Sequence, residues 1–174
     1  MSATAHARPA AGEYAPYYER YVSSVADADI LETLGRQIAE TRQLLGGVSE
    51  EQAGRGYEPG KWSIKELVGH LIDGERVFAY RALRFARGDS TNLPGFEQDD
   101  YVRAGNFNAR TLADLVEEFT QVRASTISLF RHLDAEAWTR RGTANDSEAS
   151  VRALAYIIAG HEAHHVRILR ERYL

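Results

Sequence analysis

Ile157–Ile158–Ala159–Gly160–His161–Glu162–Ala163–His164–His165–Val166–Arg167–Ile168–Leu169 puts three of the chain's six histidines inside five residues. On a helix, residues four apart lie one above the other on one face. His161 and His165 therefore point the same way. Val151, Leu154, Ile158, His161, His165 and Ile168 recur at steps of three and four. That spacing predicts a long C-terminal helix beginning after Ser150, with two imidazoles on the seam where Leu or Ile belongs. A single inward histidine is ordinarily a satisfied core residue. Two stacked ones are costly unless something uses their nitrogens, and a metal ion does so.

The third ligand is sought on the helix with the clearest start. Tyr57 to Lys61 is a turn containing Pro59 and Gly60; Ser63 with Glu66 then forms a capping box. The helix runs to about Arg87, where Gly88 ends it. Its apolar arc is Ile64, Leu67, Val68, Leu71, Phe78, Ala82 and Phe85, with His70 on the edge beside Gly74. Gly74 costs about 1 kcal/mol relative to Ala in a helix interior, which close approach of another helix or room for a ligand would offset. His70 lies about 10 Å from the start of its helix, and His165 about 10 Å from the end of the last one. The heights coincide only if the two helices run antiparallel. Three histidines on two helices bind a divalent first-row metal and leave a face open to water or substrate.

The other elements are read in the same way. Asp27 or Asp29 caps a first helix reaching about Leu45, with Ile30, Leu34, Ile38, Thr41 and Leu45 on one face and Gly46–Gly47 stopping it. Ser49 opens one short turn. Gly88 to Arg110 is a long connection, a lid or a crossover; for its Asp99, Asp100 and Tyr101 a solvated loop is the default reading, and covering the open metal face is the other. Thr111 caps a third helix with Leu112, Leu115, Val116, Phe119, Val122, Ile127 and Phe130 inward, and Asp134 to Trp138 forms a further short turn. Thr139 to Ala149 is polar, and no alternating strand pattern of useful length occurs. The expectation is an all-α four-helix bundle over residues 27–174, preceded by an irregular N-terminal arm, 1–26. The tyrosines of that arm, Tyr14, Tyr17, Tyr18 and Tyr21, pack on the domain surface or a second subunit; a ring-stacking ligand site is the other reading.

Composition excludes several classes of function. The 174 residues carry no cysteine, so there is no disulfide and no thiolate ligand. A net charge of −4 argues against nucleic acid as the partner. No run approaches a membrane span, and the N-terminus lacks an apolar signal region. The expected setting is cytoplasmic.

His161–Glu162–Ala163–His164–His165 also matches the H-E-x-x-H of zinc proteases. Only nine residues follow His165, too few for that class's later ligand, and the extended form needs Gly and His where Ile168 and Glu171 stand. Glu162 also lies about 100° round the helix from His161. The match is a coincidence of spacing.

The stretch Tyr57–Glu58–Pro59–Gly60–Lys61–Trp62–Ser63–Ile64–Lys65–Glu66, then Gly69–His70–Leu71–Ile72–Asp73–Gly74–Glu75 and Arg81, resembles the W-S-x-x-E-x-x-x-H-L-x-D-x-E…R signature of DinB/YfiT-like proteins. His161-x-x-x-His165 completes it, and the resemblance spans about Ile30 to Arg172. It implies an up-down-down-up four-helix bundle, a homodimer, and a divalent metal (Zn, Ni, Fe or Mn) on His70, His161 and His165. It further implies a metal-dependent enzyme that activates a low-molecular-weight thiol toward small electrophiles, in detoxification or stress response. Two alternatives stand beside this: hydrolysis of a small amide or ester, and a non-catalytic metal- or ligand-binding dimer. Glu75 and Arg81 are candidates for orienting a ligand imidazole, with a structural salt bridge as the competing reading for both.

Overall fold

A computed structural model describes residues 6–26 and 29–174. Four long helices form the bundle: α2 (Ile30–Leu45), α4 (Ile64–Ala86), α6 (Leu112–Arg131) and α8 (Val151–Ile168). Shorter ones are α1 (Glu19–Val22), α3 (Glu50–Ala53), α5 (Gln98–Gly105) and α7 (Ala135–Thr139), and α8 continues into one π-helical turn at Leu169–Tyr173.

Side-chain caps set the starts of the long helices. Asp29 accepts from the Leu31 and Glu32 amides at 2.8 and 3.1 Å; Asp27, the other candidate cap, lies outside the described residues. The predicted box at α4 is complete, with the Glu66 amide donating to Ser63 Oγ at 3.1 Å and the Ser63 amide to Glu66 Oε2 at 2.8 Å. Thr111 and Ser150 cap α6 and α8 at 3.2 and 3.1 Å. Each satisfies amides that a helix start leaves unpaired.

Around the bundle, α4 packs on α6 and α8, and α2 packs on the same pair. Helices adjacent in sequence, α2 and α4, are thus diagonal in space. Early α4 faces late α8, with His70 against His161 and His165, so this pair is antiparallel. Lys65 at the start of α4 and the Leu112 amide at the start of α6 meet the same Glu50 carboxylate, at 2.7 and 2.8 Å, so α4 and α6 run parallel. The order is the expected up-down-down-up.

One local expectation is corrected, and two segments gain structure that their sequence did not specify. Thr139 to Ala149 is no simple loop: β1 (Arg141–Ala144) and β2 (Ser147–Ser150) form an antiparallel hairpin. Asn145 and Asp146 turn it with φ of 51° and 57°, the left-handed pair of a tight hairpin turn. The connection from Gly88 to Arg110 carries α5, and Phe107 beyond it seats on Gly69, where any Cβ would overlap the ring. The N-terminal segment is ordered into short 3₁₀ turns at Ala11–Glu13 and Pro16–Tyr18 and then α1. It lies on α8 so closely that a Cβ at Gly160 would overlap the Tyr21 backbone. Tyr14 and Tyr21 are buried, so the arm packs on its own domain.

The core has two apolar parts. One joins Ile30, Leu34, Phe78, Phe85, Phe130 and the first half of α8. The other joins Leu45, Leu67, Leu71, Leu115, Phe119 and Leu169. Between them, at mid-height, lies a polar layer containing Glu75, Arg123, Glu162, Thr41 and His161, all buried. No helix among the described residues is long and apolar enough to cross a membrane.

Candidate metal centre

His70 stands in the second turn of α4, and His161 and His165 stand one turn apart late in α8. The antiparallel crossing brings them together. His70 Nε2 lies 2.9 Å from His161 Nε2, and each of the three rings offers a nitrogen within 4.8 Å of the others. Ring centroids are 4.7 to 4.9 Å apart. Gly74 makes the approach possible, since a Cβ there would sit 3.1 Å from His161 Cε1.

Burial decides the protonation state. It pushes His70 down to about 4 and His165 down to about 3, with the neighbouring imidazoles adding to the shift at His165. His161 lies well below the ordinary value for the same reasons. All three are neutral at pH 7, so their lone pairs are free. His165 Nδ1 is buried without a hydrogen-bond partner.

These residues fit a divalent ion. With metal–nitrogen bonds of about 2.0–2.1 Å, two nitrogens on one ion stand about 3.0–3.4 Å apart. The His70–His161 pair is within a few tenths of an ångström of that already, and small ring rotations suffice. An all-imidazole set suits Zn, Ni or Fe.

Two cavities flank the cluster. One of about 220 Å³ opens at His70 and His161, walled by Tyr17, Tyr18, Tyr21 and Phe78. The other, about 270 Å³, opens at His165 between Trp62, Lys61, Asp99 and Tyr173. Trp62 covers His70 with ring centroids 4.9 Å apart, and its carbonyl accepts from the Tyr173 hydroxyl at 2.6 Å. The connection thus reaches the cluster through Asp99, whose charge acts on His70.

Glu75 and Arg81 bond no imidazole. Glu75 accepts from Arg123 Nε at 2.9 and 3.1 Å and from Nη2 at 2.7 Å. Arg81 donates to the Pro94 carbonyl at 2.9 Å and lies 5.8 Å from the Phe78 ring. Glu162 accepts from Thr41 at 2.6 Å and pairs with Arg123 at 2.7 Å, which leaves it no role as a base at the cluster. His164 flanks the site, edge-on to Tyr21 at 5.6 Å. His132 bonds the Ser128 carbonyl, and His6 packs on Trp138. Arg123, which holds both the Glu75 and the Glu162 carboxylate, has no mark in the sequence beyond its place on the Phe119–Phe130 stripe.

A four-helix bundle in up-down-down-up order, with three neutral histidines gathered from two antiparallel helices, defines the class of protein. The model of the DinB superfamily matches residues 33–169, and the chain belongs to that superfamily. A relative in Oceanobacillus iheyensis, named "Putative metal-dependent hydrolase OB0413", is 25% identical over 138 residues, 78% of this chain and 77% of that one. Among solved structures, YfiT from Bacillus subtilis, described as a probable metal-dependent hydrolase with an unusual four-helix bundle topology, matches with a TM-score of 0.73. Its identity is 16%, and the match covers 92% of each chain. At that identity the likeness concerns the fold.

Proposed function

We propose that the chain is a metal-dependent hydrolase of a small amide or ester, with a divalent ion held by His70, His161 and His165. The observation that carries this is the 2.9 Å approach of His70 Nε2 to His161 Nε2, with His165 alongside, all three kept neutral by burial. Both relatives bear the name of a metal-dependent hydrolase. An ion held there supplies Lewis acidity, polarising a carbonyl and lowering the pKa of a water or thiol that it coordinates.

The chain's own residues do the rest. Trp62 and Phe78 shield the imidazoles on two sides, limiting water and strengthening electrostatic interactions at the cluster. The cavities at His70/His161 and at His165 offer room on either side of a scissile bond. Among the described residues, the carboxylates that border the histidine cavities are Glu97 on the tyrosine side and Asp99 on the other, both exposed. Proton transfer to a leaving group then falls to solvent or to one of these two rim acids.

A second reading, transfer of a low-molecular-weight thiol to a small electrophile, is favoured by there being two separate cavities at one cluster, one for each reactant. The test is hydrolysis of small amides and esters by tag-free, metal-loaded protein, with and without added thiol. Product release without thiol, lost on chelation, supports hydrolysis. Turnover only with thiol transfers the proposal to the second reading. Metal content equal in wild type and His161→Ala would sink both. The homodimer that the resemblance implies belongs to the same proposal, and sedimentation checks it.

A further inference from the structure

The cavity at His70 and His161 is walled by rings contributed from three directions. Tyr17, Tyr18 and Tyr21 come from the N-terminal segment, Phe78 from α4 and Phe96 from the connection. Tyr17 stands edge-on to Tyr18 at 5.3 Å, and Tyr18 edge-on to Phe78 at 6.1 Å. Tyr21 and Phe78 each present an edge relation to the His161 ring, at 5.5 and 6.0 Å. These rings, most of them edge-on to a neighbour, enclose a space of about 220 Å³, enough for roughly seven waters at about 30 Å³ each, or for one small ring.

Rings with this arrangement accept either a cation on their faces or another ring edge-on. Cations are already in place here. The Arg20 guanidinium lies 4.5 Å from the Tyr17 ring centre and that of Arg81 5.8 Å from the Phe78 centre. Arg81 is buried and hydrogen-bonds the Pro94 carbonyl and the Tyr18 side chain. A further cation would meet both of these charges, with exposed Glu97 at the rim as the one lining carboxylate to offset them. A neutral ring meets no such repulsion and can pack against the aromatic walls.

We propose that this cavity is a binding subsite for an uncharged aromatic ring, which it presents to His70 and His161. The tyrosine wall comes before residue 33, where the family match begins, so ring selectivity is added by this chain's own N-terminal segment. The fate of the bound molecule rests on the hydrolytic reading: the ring sits in the tyrosine cavity and the scissile carbonyl at the imidazoles. The binding itself needs no metal.

The test uses the full chain after chelation of metal and three probes of similar size: benzyl alcohol, cyclohexylmethanol and benzyltrimethylammonium. Binding is read by ligand-observed NMR titration. Edge-to-face contact favours a ring over an aliphatic group by about two- to tenfold. Benzyl alcohol is expected to bind tighter than cyclohexylmethanol by that factor, and benzyltrimethylammonium not to compete. Tyr17→Ala and Phe96→Leu are expected to remove the preference; Tyr17 is 56% exposed, so its loss leaves the fold intact. No binding of benzyl alcohol, equal binding of the two alcohols, tighter binding of the ammonium, or an undiminished preference in both variants overturns the proposal. Every arm is metal-free, so failure of the metal reading, seen as equal metal in wild type and His161→Ala, is a separate result.

Discussion

Arg123 and Glu75 meet through two parallel hydrogen bonds, Nε to Oε1 at 2.9 Å and Nη2 to Oε2 at 2.7 Å, with both side chains all but excluded from solvent. Glu162 reaches the same guanidinium from α8 at 2.7 Å, and the Leu34 carbonyl accepts from Nη1 at 3.0 Å. One arginine therefore ties all four long helices together. Arg123→Ala would strand two buried carboxylates and is expected to destabilise the fold by about 3–5 kcal/mol. For a domain of this size that lowers Tm by roughly 6–20 °C. Replacing all three charged groups by apolar residues of similar volume should cost far less than the single change. Urea denaturation of the two variants checks this, and equal losses would contradict it.

Trp62 lies against His70, whereas the other tryptophan, Trp138, stacks on Phe130 at 5.3 Å in the far half of the core. Titration of chelated protein with Ni²⁺ is expected to quench the emission of Trp62 and leave that of Trp138. Trp62→Phe should abolish the change, and His70→Ala should shift it to at least tenfold higher metal concentration. Saturating metal should also raise stability, by about 2.7 kcal/mol at a hundredfold excess over Kd. An unchanged melting curve with metal would remove the basis for the site.

Glu13 anchors the N-terminal segment. Burial alone would raise its carboxyl, but hydrogen bonds from Arg152, the Ala10 amide and Ser150 outweigh burial and hold it at about 2, against an ordinary 4.5. Because the folded value is the lower one, the unfolded chain binds the extra proton, and the stabilisation is complete above about 4.5. It is lost as pH falls from there toward 2, and amounts to at most about 3 kcal/mol. Glu13→Gln should flatten the stability profile between pH 5 and 2 and leave its shape above 5 unchanged. A variant that kept the wild-type slope would show that other carboxylates set it.

Gly160 is the seat of the same segment. Gly160→Ala gains helix propensity of about 1 kcal/mol but places a methyl group in the Tyr21 backbone. The segment is expected to lift from α8. Limited proteolysis should then cut at Arg20 well before the bundle is attacked, while far-ultraviolet dichroism stays near that of wild type. Resistance equal to wild type would mean that the contact adjusts.

Much of this was legible from spacing and caps. The four long helices, the Ser63 box and the His70–His161–His165 juxtaposition all follow from strong local signals: periodicity, capping and helix rise. The hairpin was missed because its strands, Arg-Gly-Thr-Ala and Ser-Glu-Ala-Ser, have no apolar alternation; its only mark was Asn145–Asp146. The inward stripe of α6 holds at Leu112, Leu115, Phe119 and Phe130, with Val116, Val122 and Ile127 partly buried against the core, but the positions buried between Phe119 and Phe130 are Arg123 and Thr126. A charged residue on a buried stripe is readable only with its partners, and those lie on other helices. The tyrosine wall had the same difficulty, since its role depends on where the segment docks.

The mid-height polar layer has a consequence for motion. Each apolar part of the core packs within itself, and the two communicate through hydrogen bonds that demand fixed geometry rather than through interchangeable van der Waals surfaces. Two cooperative units that meet at the level of Glu75, Arg123 and Glu162, beside the histidine cluster, are the expected outcome. Amide exchange should separate α8 into a slow first half and a faster second half. An ion that bridges α4 and α8 at that plane would close the gap between the two rates, so that the occupant of the site also decides whether the molecule breathes as one body or two.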